Sequence, residues 1–452
     1  MDQREWRRKR RRRNQMISYI LTAVVLVGAG AGAFAGIRHF MGSWEERGLV
    51  AQATESGQAE ALPSATSEKP AESPEMSEGA EGTEPAGNQG EAAETENVPD
   101  REELLEELVE GCVANMSLED KVAGLFIVTP EQLTGVGTAI QAGDGTREAL
   151  AQYPVGGLVY FAKNIKSGEQ LKEMLANTVS SSKYPLFLGV DEEGGRVARL
   201  ADGLDLENVG PMADIGASGD PQAAYETGAF IASYLKEYGF NLDFAPVADV
   251  LTNPDNTVIG DRAFGSDPSL TAQMVAGAVK GLQENGVSAC LKHFPGHGDT
   301  AGDSHSGAVT TERTLEEMQA AEFLPFTAGI EAGVDMVMVG HISAPGLTGG
   351  DNLPACMNEK IITDILRKQL GYNGVVITDA MNMAAVSEYY AADEAAVKAL
   401  KAGADMILMP EDFVAAYEGV VAAVKDGTID ERRIDDSLKR VYRVKYADTL
   451  TQ

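Results

Sequence analysis

Cysteine is scarce in this chain, with three residues in 452 at Cys112, Cys290 and Cys356. None forms a CxxC pair, so no disulfide framework or metal knuckle can be read, and buried free thiols are the simpler expectation. Basic charge is also short. Thirty-seven Lys and Arg face 69 Asp and Glu, for a net charge of −32. That balance excludes a nucleic-acid-binding protein, which needs a basic face. Histidine is rare too: five in all, three of them within residues 292–305. The length allows one large domain or two ordinary ones.

Basic charge is concentrated where it is least expected. Residues 1–15 hold eight Arg or Lys. Residues 16–37 then run without a charge and are rich in Ile, Leu, Val, Ala and Gly. Such a run is long enough to span a bilayer, and its basic flank predicts a cytoplasmic N-terminus with the rest of the chain outside. The run predicts a retained transmembrane anchor; Ala33-Phe34-Ala35 also resembles a signal-peptidase site, and cleavage would give a secreted protein. Residues 38–100 form an acidic linker. From 51 to 100 there are twelve Asp or Glu, one Lys and no aromatic residue. This composition cannot bury enough apolar surface to fold, so it predicts a disordered, self-repelling tether.

From residue 101 onward short apolar runs alternate with amphipathic ones. Eight runs read as strands: 122–128, 157–161, 186–190, 241–247, 287–293, 336–341, 374–378 and 406–409. Helical patterns at 167–179, 221–238, 268–284, 315–332, 359–369 and 384–402 separate them, and 430–446 reads as a closing helix. Near-continuous apolar strands separated by helices imply a parallel sheet covered on both faces. Eight such units over 101–452 predict an α/β fold, a single (β/α)8 TIM-type barrel, with an open doubly wound sheet as the alternative.

A barrel collects its chemistry where the strands end. The fifth run ends in Lys292-His293-Phe294-Pro295-Gly296-His297-Gly298-Asp299-Thr300, continuing to Asp303-Ser304-His305. Pro and Gly forbid regular structure there, so titratable groups enter a loop. His293 and His297 have the spacing of a helical zinc pair, but Pro295-Gly296 between them argues against a helix and hence against a metal site. A polar loop of satisfied histidines and a catalytic or sugar-binding loop are the other readings. Asp303 lies two residues from His305, close enough to orient the imidazole and raise its pKa into a usable proton donor. Other strand ends carry Asp191 to Arg196, Asp243 and Asp249, His341, and Asp379. Asp379 directly follows the apolar run Val375-Val376-Ile377-Thr378. A helix N-cap for Ala380 onward is its structural alternative.

Lys-His-Phe-Pro-Gly-His-Gly followed by Asp-Ser-His resembles glycoside hydrolase family 3, specifically its β-N-acetylglucosaminidase branch. Asp379-Ala380-Met381-Asn382-Met383 resembles the setting of that family's nucleophile, although some relatives carry a second Asp at the place of Ala380. Gly189 to Leu200 resembles the sugar-binding segment, and Gly260-Asp261-Arg262-Ala263-Phe264-Gly265 resembles an Arg-x-Phe-Gly loop. The resemblance implies Asp379 as nucleophile, His305 with Asp303 as acid/base, and Asp191, Arg199, Arg262, Lys292 and His293 as sugar binders.

The expected activity is then a retaining exo-β-N-acetylglucosaminidase acting on terminal β-linked N-acetylglucosamine. Export points to peptidoglycan or its fragments as the carbohydrate partner. No metal or organic cofactor is required. Open alternatives are a β-glucosidase, xylosidase or phosphorylase of the same family, a metal-dependent hydrolase, and a non-catalytic wall-binding protein.

Overall fold

The computed structural model describes residues 100–302 and 307–447. The basic tail, the apolar run 16–37, the acidic linker up to residue 99, and both Asp303 and His305 lie outside the described residues. Among the described residues no helix is long and apolar enough to cross a membrane.

Eight parallel strands form the central sheet: β1 (Phe126–Val128), β2 (Gly157–Val159), β3 (Phe187–Val190), β4 (Leu242–Asp243), β5 (Ser288–Phe294), β6 (Met336–Val339), β7 (Val375–Thr378) and β8 (Ile407–Leu408). Their order is β7-β6-β5-β4-β3-β2-β1-β8. A parallel bridge from Ile377 to Met406 brings β7 against β8, with Thr378 N–H donating to the Met406 carbonyl at 3.1 Å. The sheet is therefore a nearly closed eight-stranded barrel of the TIM type.

The two-residue period of a strand splits the apolar residues into two cores. Ile127, Val159, Leu242, Cys290, Met338 and Ile377 point inward and fill the barrel. Their neighbours Val128, Leu158, Leu291, Val337 and Val376 point outward and meet the helices. This double burial is why the strands read as continuous apolar runs.

Helix starts follow their local chemistry. Helices α1 (Pro221–Tyr238) and α2 (Pro268–Glu284) each begin with Pro, and Asp220 and Asp267 cap them by accepting backbone N–H groups. The closing helix α3 (Glu431–Ala447) is locked to the barrel through Asp405, which is fully buried. Asp405 accepts from Ser437 Oγ at 2.7 Å and from Arg440 at 3.1 Å, and also pairs with Arg367.

Three details depart from the sequence reading. The run 122–128 is a strand only from Phe126, because Ser117 caps a helix that carries the chain to Ala123. The stretch 315–332 is two helices, Leu315–Ala320 and Phe323–Glu331, interrupted at Ala321. The stretch 384–402 likewise breaks into Ala384–Ser387 and Ala392–Ala402.

Candidate active site

At the carboxyl ends of the strands lies a cavity of about 600 Å³. Asp191, Arg199, Arg262, Lys292, His293 and Asp379 all line it. These are six of the eight residues singled out from the sequence. The other two, Asp303 and His305, lie outside the described residues.

The polar wall is built on a buried ion network. Lys292, on β5, is 2% exposed, yet its ammonium reaches Asp191 at 2.9 Å and Glu193 at 2.6 Å. Arg262 grips the same Glu193 with a two-pronged contact, Nε at 2.7 Å and Nη2 at 2.8 Å. Burial opposes every charge here, but the partners prevail. Burial would raise the Glu193 carboxyl, and Lys292 and Arg262 instead hold it well below the usual carboxylate range. Burial would lower Lys292, and Asp191 and Glu193 raise it. Lys292, Arg262 and Glu193 thus stay ionised where water is largely excluded.

A second buried carboxylate orients the histidine. Asp249 is fully buried; its Oδ2 lies 2.8 Å from His293 Nδ1, and its Oδ1 accepts the backbone N–H of His297 at 2.7 Å. A carboxylate accepts, so Nδ1 carries the hydrogen and Nε2 is the remaining ring nitrogen. His297 also lines the cavity, with Nδ1 at 2.7 Å from Thr300 Oγ1. Burial first, and His293 second, push His297 down. The intervening Gly298 is obligatory, since a Cβ there would run into the Val250 carbonyl.

Asp379 follows β7, and its backbone N–H donates to the Val339 carbonyl on β6 at 2.9 Å. One carboxylate oxygen, Oδ1, accepts the N–H of Ala380 at 2.7 Å. The next helix starts only at Ala384, with Met383 in its N-cap position, so the N-cap reading of Asp379 is corrected and its side chain lines the cavity instead. Arg199 contributes a different signal: its Nε is buried with no hydrogen-bond partner. A buried, charged donor of that kind is expensive unless something arrives to accept from it.

Two strand-end groups do not join this rim. Asp243 is fully buried beneath it; Oδ1 accepts the Glu192 N–H at 2.9 Å, Oδ2 has no partner, and burial pushes the carboxyl well above its ordinary range. His341 is also buried, and its ring contacts Ala380 and Cys356. The expectation of a charge or imidazole from each of five strands is corrected at these two positions.

The family model described as glycosyl hydrolase family 3 N terminal domain matches residues 117–444. The chain belongs to glycoside hydrolase family 3. A β-hexosaminidase, LpqI, of Mycobacterium tuberculosis is 35% identical over 347 residues, covering 74% of this chain and 84% of that protein. β-Hexosaminidase A of Pseudoalteromonas piscicida is 33% identical over 325 residues. This match takes in 66% of the chain but spans only about half, 54%, of that relative. Among solved structures, a family 3 β-N-acetylglucosaminidase from Paenibacillus sp. str. FPU-7 superimposes with a TM-score of 0.68 at 38% identity, covering 75% of this chain and 64% of that one. The family named by the motifs is the family found.

Within this family 3 barrel, sequence reasoning named Glu193 and Asp249 only as strand-end charges. Their roles as counter-ion to Lys292 and Arg262 and as orienter of His293 needed the fold. A third arginine, Arg196, ties three carbonyls of residues 257–259 to the β3 side with its Nη2. It braces the segment that carries Arg262. Among the described residues no group of three or more His, Cys, Asp or Glu is arranged to hold a metal ion.

Proposed function

We propose that this protein is a retaining exo-β-N-acetylglucosaminidase. Asp379 attacks the anomeric carbon and forms a covalent glycosyl-enzyme. His305, oriented by Asp303, protonates the departing oxygen and then takes a proton from the incoming water. Asp191 and Lys292 meet the sugar hydroxyls, with His293 Nε2, Arg199 and Arg262 completing the subsite. The observation that carries this reading is the cavity in which Asp379 faces the Asp191–Lys292–Glu193–Arg262 network and the unpartnered Nε of Arg199. A ring of ionised groups held rigid by one another is suited to a neutral polyol, whose hydroxyls both donate and accept.

The natural substrate in this reading is peptidoglycan or its fragments. It rests on reading residues 16–37 as an anchor or export signal, which puts the enzyme outside the cell. The β-hexosaminidase names of the relatives support the acetamido sugar.

The test uses p-nitrophenyl β-N-acetylglucosaminide and the matching β-glucoside, each with and without phosphate. Preference for the acetamido sugar, independent of phosphate and lost in Asp379→Ala, is expected. Preference for the glucoside, or turnover that requires phosphate, would overturn the reading.

A further inference from the structure

One buried contact reaches the nucleophile position from behind the cavity. After β6 the chain passes through Gly340 into His341, which is 1% exposed. His341 Nε2 lies 2.8 Å from the Ala380 carbonyl oxygen, and Nδ1 lies 3.2 Å from Cys356 Sγ. A carbonyl only accepts, so Nε2 carries the hydrogen; in the neutral ring Nδ1 then accepts, and the Cys356 thiol donates to it. Cys356 suits that part. It is fully buried, and its own N–H is fixed to the Gly340 carbonyl at 3.1 Å. Burial, with the charge of Asp379 adding to it, pushes the thiol up and keeps the S–H in place.

Ala380 is the residue that orients Asp379. Its N–H donates to Asp379 Oδ1 at 2.7 Å. Its carbonyl accepts from Met383 N–H at 3.1 Å as well as from His341. The next residue, Met381, donates to Leu408 at 2.9 Å. The turn that presents the carboxylate is therefore gripped by β8 on one side and by the His341 imidazole on the other.

We propose that His341, with its tautomer set by Cys356, is a positioning residue for the Asp379 carboxylate. The proposal rests on the reading of Asp379 as the nucleophile. Removing the imidazole strips a buried carbonyl of a donor and frees the Ala380 peptide, whose N–H fixes one carboxylate oxygen. A misplacement of about 1 Å at a reacting atom costs on the order of 10²-fold in rate.

The test compares full-length wild type with His341→Phe, His341→Gln and Cys356→Ala on p-nitrophenyl β-N-acetylglucosaminide. His341→Phe is expected to lower kcat and kcat/KM together by roughly 10- to 100-fold with KM unchanged, as for an interaction that matters only in the transition state. It should slow covalent labelling by a fluorinated N-acetylglucosaminyl fluoride by the same factor. His341→Gln, whose amide can still donate to Ala380, should recover part of the loss, and Cys356→Ala should lose less. Unchanged kcat per folded molecule in these variants, even with a lowered melting temperature, would reduce His341 to packing and overturn the proposal. Should His341→Phe fail to fold, unchanged kcat in both His341→Gln and Cys356→Ala overturns it equally. A folded wild type inactive on the substrate would overturn the hexosaminidase reading and this proposal with it. Asp379→Ala inactive beside a fully active His341→Phe would overturn this proposal alone.

Discussion

Glu193 offers the sharpest perturbation of the site. Its carboxylate, with the side chain 2% exposed, receives Arg262 twice, at 2.7 and 2.8 Å, and Lys292 once, at 2.6 Å. Glu193→Ala leaves both cations buried. Lys292 keeps Asp191, but Arg262 keeps only the Val258 carbonyl at 3.2 Å. Removing one partner of a buried pair costs about 3–5 kcal/mol, far above the value of a surface pair. Glu193→Ala should therefore unfold about 3–5 kcal/mol more easily in urea, read by far-UV circular dichroism on the full chain. The double variant Glu193→Gln with Arg262→Met should recover part of that loss, since it removes a cation along with its counter-charge. KM should rise in the single variant, because Lys292 and Arg262 lose their anchor. Unchanged stability in Glu193→Ala would refute the view that this carboxylate holds the network, whatever its effect on KM.

Further outcomes can be checked separately. His305→Ala should lower kcat by about 10²–10⁴-fold on substrates with poor leaving groups and much less on activated aryl glycosides, where protonation matters little. Gly298→Ala should cost about 1–3 kcal/mol of stability and most of the activity, since the new Cβ meets a backbone carbonyl that cannot swing away. Lys445 gives a pH signature. Its ammonium donates to the Gly156 carbonyl at 2.6 Å over the Phe187 ring, and burial pushes its pKa down to about 7. The unfolded chain then binds this proton more tightly than the folded one, so stability should rise with pH from about 7 to about 10. Lys445→Met should flatten that rise. The folded pKa of Glu193 is also lowered, so its contribution acts in a separate, acid window: it is complete above the ordinary carboxyl range and is lost as pH falls through that range to the lowered value. Acid unfolding of Glu193→Gln should lack that component.

The barrel was legible because its strands are buried on both faces, which leaves eight apolar runs with helical patterns between them. Helix starts at Asp220 and Asp267 were legible because a capping carboxylate and Pro stand side by side. The break at Ala321 was not, because Leu315 to Ala332 keeps a helical pattern across it. Of the site, Asp379, Lys292 and Asp191 could be found as polar residues terminating apolar strands. The pairing of Glu193 with Arg262 spans 69 positions, and that of Asp249 with His293 spans 44. Such distances carry no local signal. Asp243 misled for a related reason: a carboxylate at a strand end looks the same in sequence whether it faces the cavity or is sealed beneath it.

The central claim is that Asp379 becomes covalently bound to the sugar, and trapping tests it most directly. The full-length protein would be treated with a fluorinated N-acetylglucosaminyl fluoride, which forms a glycosyl-enzyme faster than it releases it, then digested and mapped by mass spectrometry. The account predicts one added sugar on the peptide containing Asp379, and none in Asp379→Ala. A sugar on any other residue, or turnover of the reagent with no adduct and inversion at the anomeric carbon, would contradict it.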